Sequence, residues 1–206
     1  MTHNLLQASA SGHLEVVNRL LQDEGVDPAA DNNDAIRWAS RSGRLEVVDR
    51  LLQDERVDPT ADNNYAIRWA SRNGRLEVVN RLLQDERVDP AARDNSAIRW
   101  SSASGHLEVV DRLLQDKRVD PTARDNSAIY WASIMCNMEV INRLRKYYRD
   151  KQRQQITDIG LGLKGLHVPV LVQLEIYSLL EMNIPKQTSS LASTTKWDIL
   201  KKIHVW

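Results

Sequence analysis

Apolar residues recur at helical spacing in short bursts along the chain. From Arg75 to Glu86, Leu76, Val79, Leu82 and Leu83 return at the three- and four-residue intervals of one helix face, with Arg75, Glu77, Asn80 and Arg81 between them. Just upstream, Ile67 and Ala70 share a face, and Gly74 supplies a helix stop. Pro90 disfavours a helical Asp89, so the second helix ends before it. The "VDPxAxxN" that follows is built of turn formers. The pattern predicts two short helices and a loop.

That unit is written several times. Trp38, Trp69, Trp100 and Trp131 are 31 residues apart, as are Gly12, Gly43, Gly74 and Gly105. The Asp-Pro pairs beginning at Asp27, Asp58, Asp89 and Asp120 keep the same step. A fixed period of this size marks a stacked array. Five units fill residues 1–148. Helices of about nine residues do not persist alone in water, because nucleation is costly. Each unit therefore needs its neighbours to bury its apolar face. The expected fold is all-α: an α-solenoid of helix-loop-helix repeats, followed by C-terminal helices.

Composition narrows the functional classes. Lys plus Arg and Asp plus Glu are 28 each, so no global field draws the chain to nucleic acid or an anionic membrane. The balance of 42% hydrophobic and 27% charged residues suits a folded, soluble protein. One cysteine, Cys136, rules out an intrachain disulfide and fits a reducing compartment. The N-terminal "MTHNLLQASA" lacks the pattern of a secretory signal, and no stretch has the length of a membrane span. A cytoplasmic location is expected.

The repeats resemble ankyrin repeats. The family's helix-A pattern, Thr-Pro-Leu-His-x-Ala-Ala-x-x-Gly-His, lies over Tyr65 to Arg75, where the Leu, first Ala and Gly positions match. "GHLEVV" at Gly12–Val17 and Gly105–Val110 matches the family's second helix start. Three departures change what the resemblance implies. The period is 31 rather than about 33, so the family's hairpin finger should be shortened or replaced by a tight loop. The Thr position holds Asp34, Tyr65, Ser96 and Ser127, of which Asp and Ser can cap a helix and Tyr cannot. The His position holds Arg37, Arg68, Arg99 and Tyr130, so the family's histidine network is not carried over. The wording, with "AIRWAS" and "RVDP", resembles ankyrin proteins of large DNA viruses of amoebae. A viral origin would place the chain in host cytoplasm.

The resemblance implies a protein partner held on the concave, loop-bearing face. Comparing the copies shows which positions drift, and in the family these face the groove. The expected partner-binding set is Asp34, Arg41, Ser42, Tyr65, Arg72, Asn73, Ser96, Ala103 and Ser104. Drift for want of constraint explains the same pattern. The tryptophan ladder is expected to pack near the groove floor; stacking on nucleotide bases is the rival reading. Cys136 replaces the glycine of the fifth unit. A cysteine takes positive φ less cheaply, so that unit should turn differently, with Asn137 as the candidate.

The remaining chain divides at 149–165, a basic segment and Gly-rich linker, and at 166–206, a helical cap or adaptor segment. "GLGLKG" at Gly160–Gly165 fits a dinucleotide fingerprint by letters alone. A charged helical stretch precedes it instead of a buried strand, so the linker reading stands. "VPVLVQLEI" loosely resembles the start of an F-box, which would make the chain a ubiquitin-ligase adaptor. His13 and His106 occupy a routine repeat position, and His3, His167 and His204 show no acid or cysteine partner. No catalytic set, metal spacing or cofactor motif emerges. The sequence reads as a non-catalytic scaffold, with no small-molecule substrate, cofactor or membrane; a nucleic-acid binder using the Trp ladder and basic segment is a lesser alternative.

Overall fold

Each repeat after the first opens with a left-handed turn of three residues. Asp31, Asn32 and Asn33 have φ of 51, 60 and 62°. The triplets at residues 62–64, 93–95 and 124–126 repeat this conformation. Left-handed backbone costs about 1–2 kcal/mol per residue for most side chains, and less for Asn and Asp. "DNN" and "RDN" are thus suited to the task, with Arg93 and Arg124 the exceptions. Three sets of bonds offset the strain. The main-chain N–H of Asn64 donates to the Thr60 carbonyl at 2.6 Å. The side-chain oxygen of Asn64 accepts from the Asp89 N–H of the next repeat at 2.8 Å. Arg68, 4% exposed, donates to the carbonyls of Asp62 and Asn63 at 2.8 and 2.9 Å. This turn stands where the family would have a hairpin, and it accounts for the short period.

The computed structural model describes residues 2–162. The described residues hold ten helices and no strand: α1 (Thr2–Ser11), α2 (Leu14–Leu21), α3 (Ala30–Ser42), α4 (Leu45–Leu52), α5 (Ala61–Arg72), α6 (Leu76–Leu82), α7 (Ala92–Ala103), α8 (Leu107–Leu114), α9 (Ala123–Ile134) and α10 (Met138–Gly162). The first helices of successive repeats form one layer, α1 on α3, α5, α7 and α9 in turn. The second helices form another, α2 on α4, α6 and α8. Between the layers runs one core, repeated per unit: Ile67, Ala70, Val78, Val79 and Leu82 are fully buried in the third. The loop valines Val26, Val57, Val88 and Val119 join it.

Polar ladders hold the repeats in register. Arg87 forks onto Asp85 with bonds of 2.9 and 2.7 Å, and its remaining nitrogen donates to the Val57 carbonyl of the previous repeat at 3.3 Å. Arg56 and Arg118 do the same with Asp54 and Asp116. Arg81 pairs with Asp49 and Arg143 with Asp111 across successive second helices. A third ladder starts at the residue after each glycine. Arg44, Arg75, His106 and Asn137 reach back to carbonyls at the end of the preceding repeat's first helix. Those carbonyls have no partner within their own helix.

Two expectations fail here. Cys136 does take the left-handed conformation, with φ of 57°. Its N–H donates to the Ser133 carbonyl and that of Asn137 to Ala132, as Gly105 and His106 do with Ser102 and Ser101. The fifth unit therefore turns like the others, and Asn137 joins the carbonyl ladder instead. The reason lies in space: a Cβ at Gly74 would sit 2.6 Å from Nδ1 of His106, and one at Gly105 2.8 Å from Oδ1 of Asn137. Cys136 belongs to the last described repeat, and no described repeat follows it to send such a side chain across. N-terminal side-chain capping also fails: α3, α5, α7 and α9 have no side-chain N-cap bond. Asp34 pairs with Arg37 at 2.9 Å, and Ser96 donates to its own helix at Ala92.

The chain divides into two units, Met1–Arg153 and Gln154–Trp206, and the array occupies the first. The basic stretch from Arg143 to Arg153 lies in α10.

Candidate functional site

Residues outside the buried core whose side chains take no part in the hydrogen-bond ladders collect along the first-helix layer. Their positions follow from helix spacing. A tryptophan lies two residues after the buried isoleucine, and an arginine three residues further on shares its face. The 31-residue step then places each arginine beside the tryptophan of the next repeat.

The result is an alternating ribbon. The guanidinium carbon of Arg41 lies 4.6 Å from the ring centre of Trp38 and 4.7 Å from that of Trp69. Arg72 lies 4.5 Å from Trp69 and 5.6 Å from Trp100. Tyr65 stacks on Trp69 with centroids 5.3 Å apart and planes 22° apart, and Trp100 meets Trp69 edge-on at 5.8 Å. Arg37 covers Tyr65 at 4.5 Å. Each cation–π contact contributes roughly 0.5–2 kcal/mol depending on desolvation. The ribbon is therefore a set surface rather than a row of loose side chains.

The expected binding residues separate on this frame. Arg41, Tyr65 and Arg72 belong to the ribbon, with Arg72 exposed and the other two half-buried. Ser42 and Ala103 are half-buried, and Ser104 exposed, at the helix ends beside it. Asp34 is half-buried and engaged with Arg37. Asn73 uses its amide to cap its own helix at the Trp69 carbonyl, 2.9 Å away. Ser96 is 1% exposed, with its hydroxyl donating to its own helix at Ala92, and is not available to a partner.

Sequence reasoning missed the arginines of "AIRW". Arg68 sits in the interior, where burial pushes its guanidinium below the ordinary arginine value, and it binds the left-handed turn. Burial also lowers Arg99, which reaches the Asp94 carbonyl. Their signal was present: Arg recurs there in three units and gives way to Tyr130 in the fifth. The tryptophans also do more than pack. Trp38, Trp69 and Trp100 are half-buried, sharing their faces with arginines, and Trp131 is exposed.

At the fifth repeat the character changes. Ala103 stands where Arg41 and Arg72 stand, so the alternation ends at Trp100. Tyr130, Trp131, Ile134, Met135 and Met138 form an exposed apolar group. The cap and adaptor readings of 166–206 and the linker reading of Gly160–Gly165 fall wholly or partly outside the described residues. Among the described residues, no helix is long and apolar enough to cross a membrane, and no group of His, Cys, Asp or Glu is placed to hold a metal ion.

The family model for ankyrin repeats, of three copies, matches residues 5–94 and again 67–155. No curated protein matches the chain.

Proposed function

We propose, from the premise that the chain belongs to the ankyrin-repeat family, that it is a non-catalytic scaffold holding a protein partner on its first-helix face. Ankyrin repeats generally mediate protein–protein interaction. One observation carries the choice of face. The side chains of Trp38, Arg41, Trp69, Arg72 and Trp100 are ordered by their own stacking. None of these side chains makes a hydrogen bond in the ladders between repeats, which take from this set only the backbone carbonyls of Arg41 and Arg72. Trp, Tyr and Arg are the residues that dominate protein interfaces when clustered and preorganised. Ser42, Ala103 and Ser104 rim the ribbon with small side chains that leave it accessible.

The reading places the scaffold in cytoplasm, host cytoplasm if the viral wording reflects its origin. An exposed, unpaired Cys136 suits a reducing interior.

The test is affinity purification with mass spectrometry, comparing the native chain with a variant carrying Arg41→Ala, Tyr65→Ala and Arg72→Ala. A partner captured by the native chain and lost by the folded variant supports the reading. Retention of every captured partner refutes this face as the site.

A further inference from the structure

We infer that the ribbon reads carboxylates, and that its occupant is an extended acidic peptide segment with two acidic side chains two residues apart. The inference deepens the scaffold reading above and rests on it.

Three observations converge. First, the guanidinium groups of Arg41 and Arg72 meet no hydrogen-bond acceptor and no carboxylate among the described residues. Arg19, Arg50, Arg93 and Arg112 also make no ion pair among the described residues, but no aromatic ring holds them, whereas Arg41 and Arg72 are fixed on tryptophan faces. Arg37, Arg56, Arg81, Arg87, Arg118 and Arg143 each pair with an aspartate. Arg41 and Arg72 are held by indole faces alone, which leaves the in-plane N–H donors of each fork unspent. A carboxylate is the group that matches such a fork with two parallel bonds.

Second, the spacing selects a ligand geometry. The two guanidinium carbons lie 4.7 and 4.5 Å from the same Trp69 ring centre, so they are at most about 9 Å apart. Residues i and i+2 of an extended strand face the same way and are about 7 Å apart. Two acidic side chains in an Asp/Glu-x-Asp/Glu segment therefore reach both forks at once. Two cations this close repel each other, and a paired anion relieves that repulsion.

Third, the faces of Trp69 and Trp100, between and beside the two arginines, are already occupied. Trp69 is covered by Tyr65, Arg41 and Arg72, and Trp100 by Arg68 and Arg72. A single-stranded nucleic acid needs open rings for its bases, and the chain's formal charge is zero. The acidic peptide is the occupant these facts favour. Its footprint spans the second to fourth repeats, because Ala103 removes the next arginine.

The test selects a displayed library of random twelve-residue peptides on the full chain. Parallel selections use Arg41→Gln/Arg72→Gln and Arg41→Lys/Arg72→Lys, each checked for folding by circular dichroism. Arg72→Gln alone serves if a double variant fails to fold, since Arg72 is exposed. Acidic pairs at the stated spacing should be enriched on the native chain. A fluorescein-labelled winner should bind at least tenfold more weakly to the Gln variant. The Lys variant should lose binding by a smaller factor, because an ammonium keeps charge without the fork or the stack. Raising salt should weaken the native complex. Failure to enrich acidic peptides overturns the inference, as does equal binding to the Gln variant. Neutral peptides that the Gln variant loses would overturn it while leaving the face as a binding site. Labelled oligo-dT bound by the native chain and lost by the Gln variant would overturn it in favour of nucleic acid.

Discussion

His106 lies across Gly74. Its Nε2 is 3.0 Å from the carbonyl of Arg72, thirty-four positions earlier, and its Nδ1 occupies the space beside the bare Gly74 α-carbon. The glycine therefore serves two needs at once: a φ of 69° and clearance for a side chain of the following repeat.

Gly74→Ala should destabilise the array by about 1–3 kcal/mol through left-handed strain and the clash with His106. Urea denaturation measures the loss. If the crossing matters, adding His106→Ala recovers part of it, and the double-mutant cycle gives a coupling above about 0.5 kcal/mol.

Asn64 closes a left-handed turn and accepts the Asp89 N–H of the next repeat. Asn64→Ala removes that bond and places alanine at φ of 60°, with an expected cost of about 2 kcal/mol. Asn63, exposed in the same turn with φ of 53°, makes no such side-chain bond across repeats. Asn63→Gly should leave stability unchanged or raise it slightly by the same assay.

The Asp-x-Arg clasps set an acid limit. The hydrogen bonds from Arg56, Arg87 and Arg118 hold the carboxyls of Asp54, Asp85 and Asp116 below the ordinary aspartate value. A group depressed by folding binds more protons when unfolded. Its contribution is thus complete above the unfolded aspartate range, about pH 4, and is lost as pH falls through the folded value. Melting temperature should decline from about pH 5 downward. A triple Arg56→Gln, Arg87→Gln, Arg118→Gln variant should show a shallower decline.

Cys136 carries left-handed strain, with φ of 57°. Cys136→Gly should stabilise by about 0.5–1 kcal/mol, the relieved strain exceeding the added entropy of the unfolded chain. Thermal unfolding of the two proteins decides it; a destabilised variant would show that the thiol makes a contact worth more than the strain.

The helix pairs were legible because their causes are local. Leu82 and Val79 recur at helical spacing, Gly74 stops a helix, and Pro90 forbids another turn. The 31-residue step then identified stacking without any long-range information. The left-handed turns were hidden because "DNN" announces a loop without announcing its hand. Their stabilisers also lie far away in the chain, as Asn64 and Asp89 do. Arg68 was noted only as standing at the family's histidine position; its burial was not legible, because the carbonyls of the left-handed turn that receive it are not visible in the letters. Arg41, Tyr65 and Arg72, chosen for drift between copies, lie together on the first-helix layer beside Trp69. Ser96 failed because drift alone does not distinguish a surface residue from a small one folded inward.

The direct test of the account places a photo-reactive amino acid at Ser42, beside the ribbon, and separately at the exposed Glu77 of the second-helix layer. Each full-length protein is irradiated in cells, and cross-linked species are identified by mass spectrometry. The account predicts a discrete protein adduct from position 42 that disappears when Arg41→Ala and Arg72→Ala are added. An adduct from position 77 alone, or one from position 42 indifferent to those substitutions, would contradict it.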